Sequence, residues 1–156
     1  MAIATAPNWA RIIRSGVIAG AVGGILLDLW LYATLMIPQH ATLPQNWTFI
    51  ASTALGKSAF TNPLAPWIGL VMHFCVAIGW AIGYAYLAET RAGINRNYIT
   101  SGIFFGIVVM VAMQMVLMAA NAYHMPTVRE FVLNVIGHVV FYGIPVAAGT
   151  RILDRF

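Results

Sequence analysis

The sequence is short of charge and of cysteine, and each shortage excludes a class of protein. Its 156 residues include eight Lys and Arg, four Asp and Glu and one cysteine, against 61% apolar residues. Soluble domains carry about a quarter of their residues as charge. A globule this small exposes most of its side chains, and so few charges cannot keep it in water. A soluble monomer is excluded, and lipid is the solvent. The lone Cys75 lies inside an apolar stretch, which excludes a disulfide framework, a CxxC redox pair and a Cys-rich zinc site within one chain. Catalytic patterns are also lacking. There are no paired acids, no phosphate-cradling glycine loop and no serine set beside a histidine for acyl transfer, so the chain does not read as an enzyme. The formal charge of +4 comes from basic residues scattered in ones and twos at the ends of apolar stretches. That distribution is a topology signal and not a nucleic-acid surface. No internal repeat or low-complexity segment is evident.

What the sequence does have is hydrophobic length. Its mean hydropathy is +0.83, and apolar stretches predict transmembrane helices over 16–37, 64–87, 99–121 and 130–150. These make one all-α transmembrane domain over 1–156, an up-and-down bundle of four helices. The first run is followed by no small-residue cleavage pattern and reads as a retained span. Pro38, Pro63, Pro66 and Pro126 mark helix ends, whereas Pro145 predicts a kink inside the fourth span. Short later connections predict that spans two, three and four are antiparallel sequential neighbours. The stretch 38–63 is different. Around Trp47, Phe49, Ile50 and Leu55 it predicts a short helix in the membrane interface, or a cap over the bundle mouth.

Orientation follows from the basic residues. Arg11, Arg14, Arg91, Arg96, Arg151 and Arg155 fall on one side, with only Lys57 and Arg129 on the other, which places both termini in the cytoplasm of a bacterial inner membrane. Trp47, Trp67 and Tyr123 are expected at the outer interface, and Trp9, Tyr98 and Phe156 at the inner one.

Small residues recur four apart: Gly16, Gly20 and Gly24; Gly79 and Gly83; Gly102 and Gly106; Gly143 and Ala147. Such faces let helix backbones approach closely, and all four sets predict a tightly packed cytoplasmic half. Polar residues mark a second feature. Asp28, His73 and His138 each lie about nine residues from the predicted outer helix ends, roughly 14 Å deep, with Gln114 at similar depth. Asn134 stands one turn above His138 on the same face. An ionisable group at that depth costs about 3 kcal/mol unless it faces a partner or water, so these side chains should converge.

Several chemistries suit such a layer. The first is a satisfied structural clasp of hydrogen bonds. The second is a proton-linked Asp/His unit, because His titrates near neutrality. The third is a metal site of His73, His138 and Asp28. The fourth is a b-type haem held axially by His73 and His138 between spans two and four. Met72, Cys75, Met110, Met113, Met115 and Met118 add soft sulfur ligands of the kind Cu(I) takes, or adaptable packing.

The second half of the chain resembles the YagU family of bacterial inner-membrane proteins. The resemblance is carried by His73, by Ala77-Ile78 and Ala81-Ile82-Gly83-Tyr84 ending at Ala88-Glu89, by Gly102, by Met125-Pro126 and by the run from Ile136 to Phe141. It includes His73 and His138 and does not extend to Asp28. It implies an inner-membrane protein connected with acid tolerance. The expected function is a small membrane binding or sensing module. Its alternatives are a haem or metal electron-transfer protein and an accessory subunit of a larger complex, with homo-oligomers also compatible.

Overall fold

The computed structural model describes residues 7–120 and 125–153. Four helices in it are long and apolar enough to cross a membrane: Trp9–Gln39, Ala65–Thr90, Tyr98–Ala119 and Val128–Leu153. Among the described residues there is no strand. The last residue of the predicted third span, Asn121, lies outside the described residues, as do Tyr123, Arg155 and Phe156.

The first span begins as α1 (Trp9–Leu31), widens into a π-helical turn (Tyr32–Met36) and tightens into a 3₁₀ turn (Ile37–Gln39) carrying Pro38. A short helix, α2 (Leu43–Leu55), follows. It opens on a capping box in which Thr42 and Gln45 satisfy each other's backbone N–H groups. Next come α3 (Ala65–Thr90), the five-residue α4 (Ala92–Arg96) and α5 (Tyr98–Ala119). The fourth span is α6 (Val128–Ile136), a π-helical turn (Gly137–Gly143) and α7 (Ile144–Leu153). The kink expected at Pro145 takes the form of that π turn. Proline offers no N–H to the carbonyl one turn earlier and its ring crowds that carbonyl, so the ladder changes register just before it.

Three of the four glycine sets are used as predicted. A Cβ on Gly16 would lie 2.6 Å from the Ile82 Cα, and one on Gly20 would lie 2.7 Å from the Ile78 Cα. The backbones of α1 and α3 therefore touch along this seam. Gly102 and Gly106 do the same against the fourth span: a Cβ on Gly106 would collide with the His138 carbonyl, and one on Gly143 with the Gly102 carbonyl. Gly149 and Ala147 complete the packing, the first against Ala19 of α1 and the second against Gly102.

The fourth set, Gly79 and Gly83, does not pack. Among the described residues nothing lies within 4 Å of a Cβ built on either glycine. The face of α3 that meets α1 is made instead by buried Ala77, Ala81, Ala85 and Ala88. The expected contact between consecutive spans two and three is correspondingly slight. α3 packs chiefly on α1 and α2, while α5 packs chiefly on the fourth span. α3 and α5 meet through side chains, with Tyr84 and Trp80 against Phe105 and a Tyr84 to Ser101 hydrogen bond. These aromatic rings hold the two backbones apart, and the glycines face a cleft. The predicted seal of this half is therefore incomplete on that side.

The arginine-bearing ends converge. Arg11 pairs with Glu89 at 3.7 Å, Arg14 donates to the Leu153 carbonyl at 3.3 Å, and the Arg151 guanidinium lies 4.6 Å above the Tyr98 ring. At the opposite end Gln39 donates to Glu130 at 3.0 Å and Arg129 to the Thr34 carbonyl at 3.1 Å.

A candidate buried carboxylate–histidine site

The four-residue stripe Gly16, Gly20, Gly24 on α1 continues at the same interval to Asp28. On α3 the matching stripe runs Gly69, His73, Ala77, Ala81. Where these antiparallel stripes meet nearest the α2 end, the absence of a side chain at Gly24 lets the His73 ring reach α1: its Nε2 would sit 3.5 Å from a Cβ there. His73 Nε2 lies 3.5 Å from the Gly24 carbonyl and 3.4 Å from Asp28 Oδ1. Both neighbours are acceptors when Asp28 is ionised, so the ring proton sits on Nε2.

The other carboxylate oxygen is held from a third element. Trp47 of α2 donates its indole N–H to Asp28 Oδ2 at 3.3 Å. The indole can reach because α2 lies directly on α3. A Cβ on Gly69 would collide with the Trp47 carbonyl, and Ala51, Ala59 and Ala65 are sealed between the two segments with Leu55 and Ile68 against them. α2 is thus the cap over the bundle mouth, not a helix lying free in the interface. The expectation that Trp47 belongs to an outer aromatic belt is corrected accordingly: its indole points inward. Composition alone marks Trp47 as an interface anchor. The available signal was Gly69, a small residue one turn before His73 that admits a second backbone.

Asp28 is buried. Its bonds are few and long: Oδ1 has an ion-pair contact with His73 but no well-aligned hydrogen bond among the described residues. Taking a carboxylate out of water costs several kcal/mol unless it is paired and hydrogen-bonded, and such a group either keeps a partner or takes up a proton.

The rest of the predicted layer is only partly assembled. His138 is buried in the π turn, where its Nδ1–H donates to the Asn134 backbone carbonyl at 3.0 Å. It lies within electrostatic reach of His73 without contacting Asp28. Asn134 therefore serves His138 through its main chain, and its buried side-chain oxygen Oδ1 has no hydrogen-bond partner among the described residues. Gln114 is half-buried on α5 and makes no side-chain hydrogen bond among the described residues. It does not join the pair: α5 is separated from α1 by the fourth span.

The metal and haem expectations fare worse. Among the described residues no three His, Cys, Asp or Glu side chains converge on a point where a metal ion would sit. Asp28, His73 and His138 therefore do not form the three-ligand set. A haem between His73 and His138 does not fit the residues present. One turn toward the arginine-bearing end from both histidines, Tyr142 donates directly to the Ala77 carbonyl at 2.5 Å. A macrocycle spanning the two rings would have to occupy that bridge. His73 Nε2 is also turned toward Asp28.

Comparison with protein-family models, with curated proteins and with solved structures finds no match. The site must be argued from its own geometry.

Proposed function

We propose that this chain is a proton-responsive membrane module of a bacterial inner membrane, with its arginine-bearing end and termini cytoplasmic. In it, the charge state of Asp28 controls how firmly α2 caps the bundle. The observation that carries this reading is that one buried carboxylate is contacted from two different segments, by the His73 ring of α3 as an ion pair and by the Trp47 indole N–H of α2 as a hydrogen bond. With Asp28 ionised, it attracts a protonated His73 and accepts from the indole. Once it takes up a proton, the charge that draws both groups disappears, and the Trp47 bond becomes an ordinary neutral one, about half as strong. His138 is a further titratable group close to this pair, and a charge there opposes one on His73. The resemblance to the YagU family, with its link to acid tolerance, supports the same direction.

The test is indole emission in lipid vesicles as a function of pH, compared between wild type and Trp47→Phe. The difference spectrum isolates Trp47 from the other four tryptophans of the five in the chain. We expect an acid transition in wild type that is absent from Trp47→Phe and from Asp28→Asn. A wild-type Trp47 signal that is flat from neutral to acid pH would overturn the reading.

A further inference from the structure

We infer that the cleft between α3 and α5 is a binding site for one acyl chain of an anionic phospholipid, whose headgroup is held by Arg91 and Arg96. This inference is independent of the Asp28 reading.

The cleft has a volume of about 700 Å³ and is bounded by Gly79, Gly83 and Leu87 on α3, by Phe104 and Val108 on α5, and by Ile94 of α4 at its end. Along α3 it runs from Val76 to Leu87, about 16 Å at 1.5 Å per residue. The hydrocarbon of one leaflet is about 15 Å deep, half of a typical 30 Å core. The cleft is thus one leaflet long, beginning at the arginine-bearing end and finishing near the midplane.

Its interior chemistry asks for hydrocarbon. The polar groups on its wall are the Trp80 indole N–H and the hydroxyls of Tyr84 and Ser101, and the two hydroxyls satisfy each other. Tyr84 Oη lies 2.6 Å from Ser101 Oγ, which lies 3.1 Å from the Ile94 carbonyl and 3.2 Å from the Tyr98 carbonyl. With Tyr84 donating to Ser101 and Ser101 donating onward, neither hydroxyl offers a free donor to the cleft. A polar ligand would find a single indole N–H among otherwise apolar walls. Gly79 and Gly83 leave the floor flat, with no neighbour among the described residues within 4 Å of a Cβ built there.

The rim chemistry asks for negative charge. Ile94 closes the cleft from the middle of α4, and Arg91 and Arg96 flank it within a turn, both exposed and neither in an ion pair among the described residues. This separates them from Arg11, Arg14 and Arg151, which are engaged by Glu89, the Leu153 carbonyl and the Tyr98 ring. Free guanidinium groups at the membrane surface bind phosphate bidentately, and basic pockets between spans are sites for anionic headgroups. Charge complementarity at the mouth and one leaflet's length of apolar cleft below it specify a single molecule with both parts.

The test uses full-length protein exchanged into mild detergent with equimolar phosphatidylglycerol and phosphatidylcholine of matched chains, followed by native mass spectrometry. The expected result is one retained phosphatidylglycerol, favoured over phosphatidylcholine by at least fivefold. Arg91→Gln with Arg96→Gln should reduce that preference to below twofold. These changes lie outside the apolar spans and leave Arg11, Arg14, Arg151 and Arg155 to hold the orientation. Gly79→Leu with Gly83→Leu should fill the cleft and lower retention of both lipids at least fivefold. Equal retention of the two lipids by wild type would overturn the proposal, as would lipid retention unaffected by the leucines. A wild-type dimer that the leucines convert to monomer would assign the cleft to a second copy of the chain and overturn it as well.

Discussion

The α1–α3 seam and the α3–α5 cleft use the same sequence pattern to opposite ends. On α1, Gly16 and Gly20 meet the backbone of α3 so closely that a methyl group on either would overlap it, and Gly24 meets the side chains of Phe74, Ala77 and His73. On α3, Gly79 and Gly83 have the same spacing and meet nothing within 4 Å. Spacing therefore gives a helix permission to approach a neighbour, and the residues beside the glycines decide whether it does. The seam has alanines opposite, at 77 and 81. The cleft is bordered by Trp80, Tyr84 and Phe105, whose ring contacts of 4.9 and 6.4 Å between centroids prop the helices apart.

That contrast can be broken by substitution. Gly106→Leu should have the largest effect, a loss of about 3 kcal/mol or more in reversible unfolding from mixed micelles, because the new side chain meets main-chain atoms of the fourth span that cannot yield. Tyr142→Phe should cost roughly 0.6–1.7 kcal/mol in the same assay, the range for interhelical hydrogen bonds in a bilayer, by removing the bridge to the Ala77 carbonyl. Asp28→Asn and His73→Gln should fail to add by at least about 0.5 kcal/mol in a double-mutant cycle, whereas Asp28→Asn and Gln114→Leu should add. Gly79→Leu should be the mildest, within about 0.5 kcal/mol of wild type. A Gly79→Leu protein as unstable as Gly106→Leu would erase the distinction between seam and cleft.

The spans were legible because a bilayer demands about 20 apolar residues per crossing, and that demand leaves a strong imprint on composition. Depth was legible too. Counting residues inward put Asp28 and His73 at one level, and they do meet. What counting cannot supply is rotation about the helix axis and the identity of neighbours. Gln114 has a matching depth on a helix that does not border α1, so it stands apart. His138 comes near His73, but its turn is π-helical, and the Asn134 carbonyl accepts a hydrogen bond from its ring. The third partner, Trp47, lay in a segment whose composition suited an interface helix. Its burial depends on Gly69, which becomes meaningful only when read as the start of the stripe that passes through His73.

The most direct test of the central claim, that the Asp28 charge holds α2 against the bundle, is a distance between α2 and α5. Spin labels at Thr48→Cys, beside Trp47, and at exposed Met118→Cys, in a Cys75→Ser background, report it by pulsed electron resonance in lipid nanodiscs. The account predicts one narrow distance near neutral pH, a longer and broader distribution in acid, and the acid distribution at every pH in Asp28→Asn. An unchanged narrow distance in wild type across that range, and in Asp28→Asn, would contradict it.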